Sequence, residues 1–160
     1  MWLYRLMTAS KAPYSDFLQA LVSAEIQLWN DADAALKPMG IPLSHLYALN
    51  AIAEAGTLRA SDLAAAIGIT AGAASKLIDR LERDGHCSRR ANPDDRRSAL
   101  VELTAAGTRT QLDGSVALEE HLSSRLGPTL TSEARDGLAL HLRSIATPTT
   151  TPSTQGKASR

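Results

Sequence analysis

The chain has 160 residues, the length of one domain or one compact protomer. Hydrophobic residues make up 44% but aromatics only 4%, so Ala and Leu, both strong helix formers, must build most of the core. Lys and Arg together number 17, as do Asp and Glu, which excludes a globally polybasic or polyacidic chain but not a local basic face.

One cysteine, Cys87, excludes an intramolecular disulfide framework and a Cys-rich zinc site, and it fits a reducing compartment. No apolar run approaches the ~20 residues that a membrane span needs. The apolar opening from Met1 to Met7 is too short for a signal-peptide core. A cytoplasmic protein without membrane contact is expected.

Residues 1–14 read as a loose N-terminal segment. The first helical pattern runs over 15–37, started by Ser15 and Asp16 and stopped by Pro38 and Gly40. Its apolar stripe is Phe17, Leu21, Ala24, Leu28 and Ala32, with Trp29 beside it. Ser44 is the expected cap of a second helix that faces inward with Leu46, Leu49 and Ile52 and ends at Gly56. Thr57-Leu58-Arg59 reads as extended. A short helix follows over 60–67, with Leu63 and Ile67 inward, and Gly68 breaks it. Thr70 caps the next helix, 71–84, which buries Ala74, Leu77, Ile78 and Leu81 and ends at Gly85.

These two helices and their Gly-containing turn make either a helix-turn-helix or an ordinary helical hairpin in a bundle. The next segment favours the first. Residues 86–90 and 99–103 read as strands, joined by the turn-forming run Ala91-Asn92-Pro93-Asp94-Asp95-Arg96-Arg97-Ser98. A hairpin with a charged tip that follows a recognition helix is a wing. Thr104 then caps a helix to about Leu126, with Leu112, Val116 and Leu122 among its apolar residues, and Gly127-Pro128 breaks it. Thr131 and Ala134 begin the last helix, striped by Leu138, Leu142 and Ile145. Residues 147–160, rich in Thr and Pro, cannot offset their ordering entropy and read as a disordered tail. The first and last two helices carry more apolar surface than one small domain hides, which points to a second copy.

Charge is unevenly placed. Residues 57–100 hold eight basic and six acidic side chains, whereas residues 1–56 hold three and five. The basic excess falls on the expected reading head.

The order of elements resembles the MarR-type winged helix-turn-helix regulators. The resemblance rests on Ser61-Asp62-Leu63-Ala64, on Asp79-Arg80-Leu81-Glu82-Arg83-Asp84-Gly85, and on the run from Asp94 to Gly107, and it covers about residues 15–145. His86-Cys87 departs from it, since the family has two aliphatic residues there. The implied fold is mainly α, with a small β-hairpin wing and flanking dimerisation helices. One domain over 15–146 would hold a DNA-reading part at 42–103 and dimerisation helices at 15–37 and 104–146.

A recognition helix enters the major groove with its N-terminal residues near base edges. The expected DNA contacts there are Thr70, Ala71, Gly72, Ser75, Lys76 and Arg80, with Ser61 on a phosphate or as a helix cap. Intrahelical pairing with Asp79, Glu82 or Asp84 is the alternative for Arg80 and Arg83. The resemblance implies that Arg97, beside Arg96, inserts into the minor groove and that Asp95 orients an arginine; a solvated turn pair is the alternative for Asp95 and Arg97. It also implies a homodimeric regulator, most often a repressor, on a pseudo-palindrome with half-sites ~34–36 Å apart. The same resemblance implies release of the DNA by a small aromatic or phenolic ligand. Trp29, His45, Tyr47 and His121 are the candidates to line its pocket, with core packing as the alternative for each.

Two rival classes remain in view. Cys87 is a candidate thiol sensor beside Arg83, Arg89 and Arg90, or else a small buried hydrophobe. A helical protein-interaction module without DNA binding is the other. No phosphate loop, dinucleotide fingerprint, nucleophile elbow or paired catalytic carboxylates suggest an enzyme. The four histidines form no HxH or HExxH spacing, so neither a metal nor a cofactor is expected.

Overall fold

The structure, a computed structural model, describes residues 13–95 and 97–146. Of the segment expected to be loose, 1–14, residues 1–12 lie outside the described residues, as do the expected tail and Arg96, while Pro13 and Tyr14 begin the first helix. The chain divides into two compact units, one ending at Leu122 and the other beginning at Ser123. No helix among the described residues is long and apolar enough to cross a membrane.

Helix α1 spans Tyr14–Leu36, so it starts one residue before the expected Ser15, on Pro13 as cap. Of its expected inward stripe only Ala32 is buried, joined by Leu36. Phe17 and Ala24 are exposed, and Leu21 and Leu28 are half-buried. Its 23 residues run about 35 Å, and only its C-terminal end, at Ala32 and Leu36, enters a buried cluster. A 3-10 turn over Lys37–Met39 and a left-handed Gly40, φ 72°, turn the chain back.

Helix α2 covers Leu43–Ala55. The expected cap Ser44 lies inside it. Pro42 is the capping residue and makes no side-chain cap bond. The orphan amide of Leu43 instead donates to Asp33 Oδ1 of α1 at 2.6 Å, which satisfies the helix start from a neighbouring element.

Helix α3, Ala60–Ile67, and helix α4, Ala71–Arg83, are joined by the left-handed Gly68, φ 71°. Ala73 N donates to Thr70 Oγ1 at 3.2 Å, the expected cap of α4. Ser61 does not cap α3. That part falls to Asp62, whose carboxylate accepts from Arg59 N at 3.0 Å.

Strands β1, Cys87–Ala91, and β2, Ala99–Leu103, form an antiparallel hairpin with Cys87 opposite Leu103 and Ala91 opposite Ala99. The first strand thus begins one residue later than expected, because His86 is held in the turn: its N–H donates to Leu81 O at 2.8 Å. The expected extended piece at Leu58 pairs with Val101 through two backbone hydrogen bonds, of 3.1 and 2.8 Å.

The main core gathers Leu49 and Ile52 of α2, Leu63 of α3, Ala74, Leu77, Ile78 and Leu81 of α4, and Leu58, Cys87 and Val101 around the hairpin. A second cluster joins Ala32, Leu36, Ile41, Leu43 and Leu46, with Ala117 and Leu118 of helix α5 packed against it. Helix α5 spans Ala105–Leu126. Gln111 Nε2 and Ser115 Oγ both donate to Asn50 Oδ1, at 2.8 and 3.1 Å, and so tie α5 to α2. In the second unit, α6 spans Ser132–Ala146, and Ala134 N donates to Thr131 Oγ1 at 3.3 Å.

The junction from hairpin to α5 is tight. Thr104 Oγ1 donates to Gly85 O at 2.6 Å and accepts from Gly107 N at 3.0 Å. A Cβ on Gly107 would lie 1.8 Å from the backbone oxygen of His86, whereas one on Gly137 in α6 would meet nothing within 4 Å. Gly107→Ala should therefore cost about 1–3 kcal/mol by overpacking, and Gly137→Ala should stabilise by up to about 1 kcal/mol. Urea denaturation of the two variants checks this, and equal midpoints would contradict the tight junction.

Candidate nucleic-acid interface

Helix α4 is two-faced because its apolar residues fall at helical spacing. Ala74, Leu77, Ile78 and Leu81 are buried, while Ala71, Gly72, Ser75, Lys76, Asp79 and Arg80 are exposed together with Arg83. The face expected from the sequence is therefore the solvent face. Its first turn carries only small side chains, and Gly72 has open space around it. Among the described residues neither Lys76 nor Arg80 has a carboxylate within ion-pair distance.

The intrahelical pairing weighed for Arg83 is present, at 3.8 Å to Asp84. Asp79 and Glu82, however, turn away from the helix's own arginines. Arg89 of β1 places Nη2 2.6 Å from Asp79 Oδ1 and Nη1 against Glu82 Oε2. Its backbone N–H also donates to Glu82 Oε1, at 3.1 Å. Burial opposes the charge of Arg89, but the hydrogen bonds to Asp79 and Glu82 outweigh it and hold the guanidinium above its ordinary range.

The wing tip is braced from within. Asn92, buried, donates through Nδ2 to Ser98 Oγ at 2.9 Å and accepts from Asp94 N at 3.0 Å. Ser98 Oγ in turn donates to Asp95 O at 3.1 Å. Asp95 Oδ1 accepts from Arg97 N at 3.0 Å and from Arg97 Nε at 3.3 Å. The Arg97 amide, then its guanidinium, hold the Asp95 carboxyl below the usual carboxylate range. The Arg97 side chain is 93% exposed, so the pair fixes its root and leaves its head in solvent. Across the hairpin Arg90 Nε meets Glu102 Oε2 at 3.1 Å.

Between α3, α4 and the hairpin lies an open cleft of about 420 Å³. Arg59, Ser61, Ser75, Arg89, Asp95 and Arg97 are among its walls. Arg59 grips Asp62 with Nε at 2.9 Å and Nη2 at 3.0 Å, and this hydrogen bonding holds the Asp62 carboxyl low. Thus Ser61, Ser75, Asp95 and Arg97, expected from separate segments, meet around one cleft. Thr70, the cap of α4, is exposed, as are Ala71, Gly72, Lys76 and Arg80 on the solvent face of that helix, and Arg96 lies outside the described residues.

Arg59 and Arg89 were not among the residues expected from the sequence. The available signal was the pair Asp79 and Glu82, one turn apart on α4, followed by a hairpin that returns along the same helix.

Two of the four ligand candidates, Trp29 and Tyr47, are in contact. They meet edge to face, with centroids 5.8 Å apart and planes at 79°. A shallow surface pocket of about 320 Å³ at Glu25, Ile26, Trp29 and Asn30 includes the tryptophan. His45 is buried in α2, and burial lowers its pKa. His121 keeps Nε2 buried without a hydrogen-bond partner. Among the described residues no group of three or more His, Cys, Asp or Glu is placed to hold a metal ion.

Cys87 answers the sensor question. It is 2% exposed, its Sγ lies 3.8 Å from Ile78 O, and burial pushes its thiol up to about 11. That is the environment of an inert packing residue rather than of a thiolate nucleophile.

Residues 39–98 match the MarR family. The chain is 35% identical over 74 residues to the uncharacterised HTH-type transcriptional regulator YcgE of Bacillus subtilis, an alignment covering 46% of this chain and 48% of YcgE. It spans about half the length of the curated relatives it matches. Two solved structures share the fold. A cysteine-to-serine mutant of Escherichia coli MarR complexed with operator DNA has a TM-score of 0.77 at 21% identity, covering 87% of this chain and 99% of that one. CouR from Rhodococcus jostii RHA1, bound to p-coumaroyl-CoA, has a TM-score of 0.77 at 25% identity, covering 89% and 99%.

The buried groups give two signs of pH dependence. The thiol of Cys87 ionises less readily folded than unfolded, so its contribution holds below the ordinary value of 9.0 and is lost as pH rises towards about 11. His45 has a lowered folded pKa, so its contribution holds above 6.5 and is lost as pH falls below that value. The midpoint of urea unfolding should therefore drop on acidification through that range, and replacing His45 with Gln should flatten the drop. Iodoacetamide should label Cys87 at neutral pH only after unfolding, and rapid labelling of the native chain would contradict its burial.

Proposed function

Since this chain belongs to the MarR family, we propose that it is a sequence-specific DNA-binding transcriptional regulator that acts as a homodimer. The observation that carries this reading is the joint placement of α4 and the hairpin. The small-residue start of α4, with Lys76 and Arg80 exposed, stands beside a wing whose tip presents Arg97. The fold is also shared with a protein crystallised on operator DNA.

In this reading α4 enters the major groove. Ala71 and Gly72 let its backbone approach, and Ser75, Lys76 and Arg80 reach bases or phosphates. Thr70, at the helix start, and Ser61 face the sugar-phosphate backbone. Arg97 enters the flanking minor groove, rooted by Asp95 and accompanied by Arg96. The net charge of the whole chain is zero, so general attraction to DNA is weak and binding depends on these placed cations.

Two reading heads are needed for a pseudo-palindrome, and the apolar surface supports a second copy. Phe17, Leu18, Val22 and Ile26 of α1 are exposed. So are Leu112 and Val116 of α5, and Leu138, Leu140 and Ile145 of α6. That much large apolar side chain left in water favours association. Repression, relieved by a small aromatic ligand, is the mode proposed, with Trp29 and Tyr47 as its aromatic contacts. CouR, of the same fold, is a ligand-bound precedent. The reading assigns no catalytic step and places the protein in the cytoplasm, at the nucleoid.

The experiment is enrichment of duplexes from a randomised pool by the full chain, followed by binding titrations. The enriched duplex should carry an inverted repeat, be bound by two chains, and lose affinity steeply with salt. Arg97→Ala should weaken binding about tenfold or more. Failure to enrich any duplex would remove the DNA-binding reading, and undiminished affinity of Arg97→Ala would remove the wing assignment.

A further inference from the structure

The face that α4 offers to solvent is not purely cationic. Asp79 lies three residues from Lys76, one from Arg80 and four from Arg83, which places it among the cations meant to read DNA. Glu82 follows one turn later. Left alone, these carboxylates would pair with the helix's own cations and repel phosphates. Among the described residues neither forms an ion pair with a cation of its own helix. One guanidinium, that of Arg89 on β1, takes both.

Resting on the DNA-binding reading, we propose that Arg89 is a positioning residue of the reading head. By drawing Asp79 and Glu82 to the hairpin, it leaves Lys76 and Arg80 available for DNA and clamps the wing to α4 at a fixed angle. The geometry suits an arginine rather than a lysine. The two arms of the fork serve two carboxylates a helical turn apart, and the Arg89 N–H adds a third bond to Glu82. The side chain is 31% exposed, so the contacts are only partly screened by solvent. The Cys87 side chain, two residues earlier, is buried against α4, so the strand that carries Arg89 is anchored at the same helix.

A direct phosphate contact by Arg89 is the rival role, and a mutant cycle separates the two. The probe is the duplex enriched by the wild-type chain, titrated against variants whose helical content matches the wild type. Arg89→Ala should bind about tenfold more weakly, and Arg89→Lys, which keeps the charge but loses the fork, should fall between. Adding Asp79→Asn and Glu82→Gln to Arg89→Ala should recover most of the loss, a far larger gain than the same two changes give in the wild-type background. Equal gains in the two backgrounds would make Arg89 an ordinary phosphate contact and overturn the proposal, as would unchanged affinity of Arg89→Ala. Should Arg89→Ala fail to fold, the same cycle run on Arg89→Lys decides. A wild-type chain that binds no duplex removes the DNA-binding reading and this proposal with it; wild-type binding with an additive cycle removes only this proposal.

Discussion

The reading head depends on one packing constraint, the burial of a single stripe of α4. Ala74, Leu77, Ile78 and Leu81 enter a core shared with α2, α3 and the hairpin. Fully burying a Leu or Ile is worth roughly 1.5–3 kcal/mol, so rotating this helix by one residue would cost more than any surface contact returns. The opposite face is thereby fixed. Its small N-terminal residues, Lys76 and Arg80 are held outward because their neighbours in sequence are held inward.

The hairpin inherits its position from the same core. Val101 and Cys87 are buried in it, and Leu58 adds a two-bond bridge to Val101. The junction to α5 is then set by Thr104, which bonds both the turn behind α4 and the first turn of α5. The exit from α4 and the start of the 22-residue α5 thus share one threonine and one close glycine approach.

Much of the first unit was legible in the sequence because its signals are local. Gly68 and Thr70 mark the turn and cap of the helix-turn-helix, and the 3.6 period of α4 names its buried face. The wing was legible from Asn92 to Ser98 through its turn chemistry. Legibility failed where a partner came from elsewhere in the chain. Ser44 looked like a cap, but Asp33 from α1 satisfies that helix start. Ser61 looked like a cap, but Asp62 takes that place. The stripe of α1 was read correctly as apolar, yet most of it meets no core in its own unit.

The sequence by itself determined the helical periods, the stops at Gly40, Gly68 and Gly85, and the basic bias of residues 57–100, because each is a property of neighbours along the chain. It also named Cys87 as a residue of two opposite readings, without choosing between them. Only the tertiary structure chose, by placing the thiol against Ile78 in the core. It alone decided that Asp79 and Glu82 face Arg89 instead of the arginines beside them, and that Ser61, Ser75 and Arg97 share one cleft. The cleft joins residues from separate segments, and the Arg89 pairings, ten and seven residues apart, depend on how the strand folds back across the helix.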